Sequence, residues 1–189
     1  MRSGSAKGTL LGLSLLFLLP LVLAWLMYSG VIDYKPAATR NHGTLVNPPV
    51  KAGLPEAFQR KGLAGHWLLL YPVAPACGEV CRADLLGLIQ VRKALGREAD
   101  RTRTVVVTGA KPEDEAWQNI PDIESETSVI SDSSGMLRGQ LNNIEGGAGT
   151  FLIDPMGNIM MHYRAGADPN DIRLDLKRLL KYAKTDSQN

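Results

Sequence analysis

A long apolar run lies near the N-terminus, from Thr9 to Ser29, and no charged residue occurs between Lys7 and Asp33. At about 1.5 Å per residue, such a run forms a helix of roughly 31 Å, which matches the hydrocarbon core of a bilayer. In a membrane a single segment must pair its backbone N–H and C=O groups internally, and a helix does this. The run therefore predicts a transmembrane helix as the first element of the fold.

A cleaved signal peptide is the alternative interpretation of this run. The apolar region of a signal peptide is normally shorter, and a small-residue cleavage site follows it. Here the run ends in AWLMYSG, without an Ala-x-Ala pattern, so we expect residues 1–30 to remain as an anchor. Arg2 and Lys7 precede the run, which favours an N-terminus on the inside. We expect a single-pass protein of the inner (cytoplasmic) membrane whose domain faces the periplasm.

The length and charge of the chain limit the number of domains and the kinds of partner that we expect. A sequence of 189 residues suggests one folded domain with additional segments. The net charge of +2 arises from interspersed residues of both signs, which gives no sign of a nucleic-acid partner. Prolines are spread along residues 31–62, which predicts a linker and entry segment. A domain at 63–184 and a tail at 185–189 follow.

Strand-like and helix-like patterns alternate within this domain. An apolar run without polar interruption predicts a buried strand, and apolar residues at helical spacing predict helices. Read in this way, the sequence predicts strands at 66–73, 103–108, 127–130, 150–154 and 159–163, and helices at 79–96, 112–118, 134–141 and 168–183. This order, in which a parallel half precedes an antiparallel hairpin and a closing helix, describes an α/β, thioredoxin-like fold with a central mixed sheet flanked by helices.

The only two cysteines, Cys77 and Cys81, lie between the first of these strands and the first of these helices. We expect Cys77 near the helix N-terminus and Cys81 one turn further, where free N–H groups and the helix dipole favour a thiolate. Four residues along one helix would place their Cα atoms about 6.2 Å apart, near the upper limit for a disulfide. The pair can therefore oxidise and, when reduced, offers two soft sulfurs to Cu(I) or Zn.

A purely structural disulfide is the alternative for this pair. Closing so short a loop restricts the unfolded chain little, so the bond would be a weak staple. Spacing and position together favour a redox or metal role for Cys77 and Cys81. We expect Cys77 to be the attacking thiolate, because it is nearer the helix start and more exposed, and Cys81 to resolve the mixed disulfide.

Several segments together resemble the Sco/SenC family over about residues 63–182. They are GHWLLLYPVAPACGEVCRADLLGLIQVRKALG followed by RTVVVT, and later FLIDPMGN, YRAGADPNDI and RLDLKRLLKY. Members of that family are membrane-anchored proteins of thioredoxin fold that help to assemble the copper centres of cytochrome c oxidase. The resemblance implies that Cys77 and Cys81 are the functional residues. It also implies copper, as Cu(I), as the metal they handle, and a cytochrome oxidase subunit or other assembly factors as partners.

The copper site of that family also uses a histidine a few residues before the LIDP strand, and this sequence departs from the pattern there. The corresponding stretch is NNIEGGAGT, and the position falls at or near Gly146; no histidine occurs between His66 and His162. Two thiolates suit Cu(I), whereas Cu(II) prefers a nitrogen donor. His162 is a poor candidate for the third ligand. Strand alternation places it with Met160 on one face of the sheet and Met161 on the other, so that it would have to reach across the sheet.

Two other groups with this fold do not match the sequence at their functional positions; the cysteine spacing here is also one residue longer than in the first group. Disulfide oxidoreductases of the thioredoxin type use Cys-x-x-Cys facing a cis-proline, and Gly149 stands where that proline would be. Peroxidases of this fold need a threonine three residues before the reactive cysteine, where this chain has Ala74. The sequence thus favours a membrane-anchored thiol or copper redox factor for assembly of an oxidase copper centre, possessing a thiol–disulfide reductase activity. The alternative is a non-catalytic assembly scaffold with a structural disulfide.

Overall fold

The structure is a computed structural model that describes residues 4–29, 41–74, 76–109, 117–144 and 146–183. Contacts divide the chain into two compact units, residues 1–40 and residues 41–189. The first part of the predicted linker, most of the predicted helix at 112–118 and the predicted tail lie outside the described residues.

The described residues of the first unit form helix α1 (Gly4–Tyr28). Its segment Gly8–Leu26 is long and apolar enough to cross a membrane, judged by length and composition. Most large apolar side chains of this segment are exposed, as expected for a candidate membrane span that is hydrophobic all round. The prediction of an N-terminal apolar helix is confirmed.

The second unit is a six-stranded sheet with helices on both of its faces. Its strands are β1 (Thr44–Lys51), β2 (Trp67–Pro72), β3 (Thr102–Thr108), β4 (Thr127–Ser131), β5 (Gly149–Ile153) and β6 (Asn158–Arg164). Its helices are α2 (Ala57–Arg60), α3 (Glu79–Ala94), α4 (Ile123–Glu126), α5 (Met136–Asn142) and α6 (Pro169–Ala183), with a 3₁₀ helix at Gly96–Arg101.

The strands are arranged in the order β1-β6-β5-β2-β3-β4. The pairs β2–β3 and β3–β4 are parallel, whereas β2–β5, β5–β6 and β1–β6 are antiparallel. Strand β2 is central and has buried residues along most of its length, which explains its uninterrupted apolar sequence. The predicted mixed sheet flanked by helices is confirmed.

Each face of the sheet has its own apolar core. Helices α3 and α6 cover one face, where Leu85 and Leu176 pack with Leu69 of β2 and Met161 of β6. Helices α2 and α5 contribute to the other face, which includes Phe58, Leu137, Leu68, Leu70 and Phe151. Alternate residues of β2 therefore belong to different cores, as the two-residue period of a strand requires.

Strand β1 is one edge of the sheet and was not predicted from the sequence. It pairs with β6 at both ends, but the register shifts between Leu45 and Val50. Pro48 and Pro49 lie in this interval and have no N–H group to donate to a ladder. At the opposite edge, the Lys61 ammonium group donates a hydrogen bond to the carbonyl oxygen of Val129 in β4, at 2.7 Å.

A bulge in β6 breaks the side-chain alternation predicted for the methionine segment. Leu152 pairs with Met161, but the next residue, Ile153, pairs with Ile159, so that Met160 is the additional residue. Met160 packs against the core under α3 and α6, in which Met161 is buried. The prediction that Met160 shares a face with His162 is therefore wrong.

A buried carboxylate holds the beginning of the second unit. Asp175 of α6 is 1 % exposed and accepts hydrogen bonds from the backbone N–H groups of His42 and Gly43, at 2.8 and 3.0 Å. The Tyr163 hydroxyl also donates to it, at 3.2 Å. Burial, together with the negative charge of Asp175, raises the pKa of the Tyr163 hydroxyl far above its usual value. The chain is thus tied to α6 just before β1 begins.

Candidate functional site

Cys77 and Cys81 form a disulfide beyond the C-terminal end of β2, with their Cα atoms 5.2 Å apart. Cys81 lies in the first turn of α3, whereas Cys77 precedes Gly78, the extended residue that caps this helix. The expected spacing of about 6.2 Å assumed helical geometry between the two residues. Because Cys77 lies ahead of the helix, the spacing is shorter and falls well inside the usual range for a disulfide.

The two cysteines differ in exposure, and the difference is opposite to the prediction. Cys77 is 4 % exposed and belongs to the core under α3 and α6. Cys81 is partly exposed and packs against the outside of the same core. The chain passes from exposed Ala76 back into the core at Cys77 before the helix starts. The expectation that Cys77 is the more exposed sulfur is therefore wrong.

The start of α3, which carries Cys81, lies beside the turn between β6 and α6. Val80, the residue before Cys81, is 54 % exposed. A Cβ atom added to Gly166, in that turn, would lie 3.8 Å from Cγ1 of Val80. The turn and the first residues of α3 are therefore neighbours.

Asp84 lies one helical turn after Cys81 and links α3 to β2 and to the same turn. The Tyr71 hydroxyl donates a hydrogen bond to Oδ2 of Asp84 at 3.1 Å. The Gly166 N–H group lies 3.0 and 3.1 Å from the two carboxylate oxygens. Burial raises the pKa of the Asp84 carboxyl, and the hydrogen bonds from Gly166 and Tyr71 oppose this effect. Burial and the charge of Asp84 also raise the pKa of the Tyr71 hydroxyl.

A glycine-rich loop precedes β5 and lies at the end of the sheet where β2 leads into the disulfide. Leu70 of β2 pairs with Phe151 of the antiparallel strand β5, so Gly149 lies towards the end of β2 that leads to the cysteines. Gly149 has a φ of 129°, and a Cβ atom there would lie 2.0 Å from the Tyr163 carbonyl oxygen. Only glycine fits such a position. Gly149, at which the sequence pattern of thioredoxin-type oxidoreductases led us to expect proline, therefore cannot be replaced by proline.

His162 lies on the face of the sheet opposite to α3. It pairs with Phe151, and the two ring centroids are 4.6 Å apart within the core beneath α2 and α5. His162 is buried, and its Nε2 donates a hydrogen bond to the carbonyl oxygen of Ala148 at 3.1 Å. The structure therefore places His162 against the glycine-rich loop and does not bring it to Cys77 and Cys81.

The donor set for copper is incomplete in the structure. Gly146 supplies no side chain at the position where the Sco/SenC resemblance expects a histidine. In the described part of the chain, no group of three or more His, Cys, Asp or Glu residues is arranged to hold a metal ion. His42 lies 3.1 Å from Asp171, and His66 lies just before the start of β2, away from the cysteine end. A site with two sulfurs and one imidazole therefore does not fit, and Cu(I) bound by the cysteines alone stays a prediction.

Asp84 was not singled out from the sequence, although its spacing gave a signal. Residues three apart on a helix are neighbours on its surface, so an acidic residue three positions after Cys81 faces the same side. The partner groups, the Tyr71 hydroxyl and the Gly166 N–H, come from distant segments and could not be assigned by spacing. Asp154, interpreted as a turn residue, does hold the β5–β6 turn by accepting hydrogen bonds from Asn158.

Several solved structures are similar to this chain. The yeast mitochondrial 1-Cys peroxiredoxin shares 16% identity over 78% of this chain and 78% of its own, with a TM-score of 0.50. A thiol:disulfide interchange protein of the thioredoxin family from Chlorobium tepidum has 18% identity, covers 76% of this chain and 99% of its own, and gives a TM-score of 0.49. The structure of copper-bound ScoI from Bradyrhizobium japonicum shares 19% identity with this chain. The match covers 62% of this chain and 87% of the ScoI chain, with a TM-score of 0.44. Identities this low bear on fold alone.

No curated protein matches the sequence significantly. The model of one family, described as the transmembrane-like, thioredoxin-like C-terminal domain, matches residues 67–183. This match starts at the first residue of β2, ends at the last residue of α6 and covers more than half of the chain. Membership of the Sco/SenC family stays a prediction. The chain belongs to the family of transmembrane-like, thioredoxin-like C-terminal domains.

Proposed function

We propose that the protein is a membrane-anchored thiol–disulfide exchange factor whose working groups are Cys77 and Cys81. The observation that carries this proposal is a disulfide at the end of a central strand and the start of a helix, with one cysteine buried and the other partly exposed. An accessible sulfur at a helix N-terminus is the setting in which thiolates form and exchange. The apolar helix α1 serves as the anchor.

A structural role explains this disulfide less well. The two cysteines are only four positions apart, and a loop of this length gains little from cross-linking because the unfolded chain loses little freedom. Both flanking elements are also held independently, since β2 pairs with β3 and β5 and α3 packs on the core. A bond that contributes little to stability can be opened without loss of the fold.

The proposed reaction is a reversible two-electron exchange. The domain dithiol reduces a disulfide of the partner protein, through one mixed disulfide, and becomes the Cys77–Cys81 disulfide present in the structure. Two electrons pass to the partner, whose two sulfurs become thiols, and the two thiol protons are transferred through solvent. A dithiol donor on the same side of the membrane must then reduce the domain again. Such chemistry fits a compartment in which disulfides persist, and we propose the periplasmic side of the inner membrane.

The partner we propose is the copper-site subunit of a respiratory cytochrome oxidase. The sequence resemblance to the Sco/SenC family supports this choice, because such a subunit must hold its cysteines reduced in order to accept copper. Copper would be the cargo of the partner, and reduction of the partner's cysteines requires no third metal ligand in this domain. The incomplete donor set around Cys77 and Cys81 therefore agrees with a thiol function better than with copper delivery.

The reduction potential of the full chain in detergent tests the proposal. The protein is equilibrated in buffers of stepwise glutathione poise, its thiols are alkylated, and the oxidised fraction is measured. We expect a midpoint more positive than about −300 mV, because structural disulfides of secreted proteins lie below that value. A midpoint below this limit would contradict an exchange function. A matched control is Met156→Ser, whose side chain is 71 % exposed in the β5–β6 turn and which should not alter the midpoint.

A non-catalytic scaffold is the second candidate, and the burial of Cys77 favours it. A buried sulfur is shielded from reagents, as is usual for structural bonds. Cells that carry Cys77→Ser together with Cys81→Ser distinguish the two functions when copper is limiting. The exchange function predicts loss of oxidase maturation, whereas a scaffold predicts normal maturation at equal protein level.

A further inference from the structure

We infer that Cys81 forms the mixed disulfide with the partner cysteine and that Cys77 is the leaving and resolving sulfur. This inference rests on the proposed exchange function and assigns the two roles within it. The sequence had led us to expect the opposite roles, with Cys77 attacking and Cys81 resolving. That expectation rested on the positions of the two cysteines relative to the helix start.

Access is the first argument. A thiolate must reach the sulfur that it attacks, so the rate of exchange depends on the exposure of that sulfur. Cys77 is 4 % exposed and lies among buried core residues, whereas Cys81 is partly exposed. Val80, which precedes Cys81, and Gly166 in the neighbouring turn are also exposed, so the start of α3 lies at the protein surface. A partner sulfur can therefore approach Cys81 more readily than Cys77.

The stability of the leaving group is the second argument. When the bond between the two sulfurs opens at Cys81, the electron pair remains on Cys77, and a thiol of low basicity leaves faster. Cys77 directly precedes Gly78, the N-cap of the sixteen-residue helix α3, and Gly78 has no side chain with which to pair the first N–H groups. The bond to Cys81 holds the Cys77 sulfur beside this first turn. Free peptide N–H groups and the helix dipole stabilise a negative charge there.

The two arguments assign each step. In the reducing direction, the Cys81 thiolate attacks one sulfur of the partner disulfide, the partner bond breaks, and the second partner sulfur leaves as a thiolate. The Cys77 thiolate then attacks Cys81, which closes the internal disulfide and releases the other partner sulfur. The partner gains two electrons, and the thiols of the domain lose two electrons and two protons. In the opposite direction, a thiol of the donor attacks Cys81 and Cys77 leaves.

Glutathione identifies the attacked sulfur in the unaltered protein. The oxidised full chain in detergent is mixed briefly with glutathione and quenched in acid. Free thiols are blocked with N-ethylmaleimide and the peptides are analysed by mass spectrometry. We expect glutathione on Cys81 and maleimide on Cys77, in excess over the reverse product by about tenfold. An equal mixture, or glutathione mainly on Cys77, would overturn the inference and leave the proposed exchange function intact.

Single-cysteine variants give a second measurement that does not depend on trapping. Cys77→Ser retains Cys81, and Cys81→Ser retains Cys77; both are treated with 5,5′-dithiobis(2-nitrobenzoate). We expect the thiol of Cys81 to react about tenfold faster in the folded protein, and the two thiols to react at similar rates in guanidinium chloride. Equal rates in the folded protein overturn the assignment. If oxidised wild type neither forms an adduct nor loses its disulfide with glutathione, both the assignment and the proposed function fail.

Discussion

The imidazole of His162 lies against Gly146, so that a Cβ atom on Gly146 would be 2.6 Å from Cε1 of His162. Gly146 also has a φ of 99°, which residues other than glycine rarely adopt. The position at which the Sco/SenC resemblance expects a histidine is therefore closed to any side chain while His162 keeps its place. The observed position of the His162 ring therefore requires glycine at position 146.

Gly146→His should destabilise the domain by about 1–3 kcal/mol, because it combines an unfavourable φ with an overlap. Chemical unfolding of the full chain, followed by near-ultraviolet circular dichroism, measures the change. The matched variant Gly146→His with His162→Ala removes the overlap but not the backbone strain. In the His162→Ala background, Gly146→His should therefore lower the free energy of unfolding by less than it does in the wild-type background. Wild-type stability of the single variant would contradict this reading of the contact.

Cu(I) binding by the reduced chain should depend on the cysteines and not on His162. Anaerobic titration against a competing chelator measures the affinity. Cys77→Ser should weaken binding by about a hundredfold or more, because one of two soft ligands is lost. His162→Ala should leave the affinity within about twofold, because the imidazole faces the other core of the sheet. A tenfold loss in His162→Ala would show that His162 reaches the metal.

Gly87→Ala in α3 should destabilise the domain, although alanine normally stabilises a helix by about 1 kcal/mol relative to glycine. A Cβ atom at Gly87 would lie 2.6 Å from Cγ of Pro169, at the start of α6, so the two helices must separate. Gly139 in α5 is the control, since nothing lies within 4 Å of a Cβ atom there. Gly139→Ala should raise the melting temperature and Gly87→Ala should lower it; shifts of the same sign would refute the packing argument.

The pH dependence of stability should change in Asp84→Asn. Burial raises the pKa of Asp84 above the usual 3.8, so the folded protein holds this proton more tightly than the unfolded chain does. The resulting stabilisation is complete below about pH 4 and is lost as the pH rises through the raised pKa. The free energy of unfolding of wild type should therefore fall relative to that of Asp84→Asn across this range.

Tyr71→Phe provides the matched comparison for that measurement. It removes a hydrogen bond that lowers the pKa of Asp84 and leaves the aromatic ring in the core. The range in which stability is lost should therefore move to higher pH. A range that is unchanged, or lower, would mean that the tyrosine does not act on this carboxyl.

The central elements could be predicted from the sequence because their patterns are local. The apolar run of β2 and the helical spacing of α3 are each contained in one segment. Strand β1 was missed because Pro48 and Pro49 indicate an interrupted ladder; its pairing with β6 depends on a segment more than a hundred residues away. The bulge at Met160 was missed because it is defined by the pairing of β6 with β5. Alternation within one strand does not reveal an additional residue relative to the neighbouring strand.

The sequence indicated the two cysteines of the candidate site, but neither their arrangement nor the place of Asp84. The spacing of Cys77 and Cys81 indicated a disulfide, but which sulfur is exposed depends on how the end of β2 returns to the core. The role of Asp84 depends on a tyrosine in another strand and on a turn near the C-terminus. Such tertiary relationships have no signature within a single segment.

Both borders of the sheet carry a device that discourages further strands. The paired prolines interrupt β1, and the ammonium group of Lys61 occupies a carbonyl group of β4. If α1 anchors the chain as proposed, its copies would diffuse in two dimensions and meet more often than dissolved molecules do. Edge-to-edge pairing between copies is the hazard of such crowding, and both edge strands carry features that oppose it.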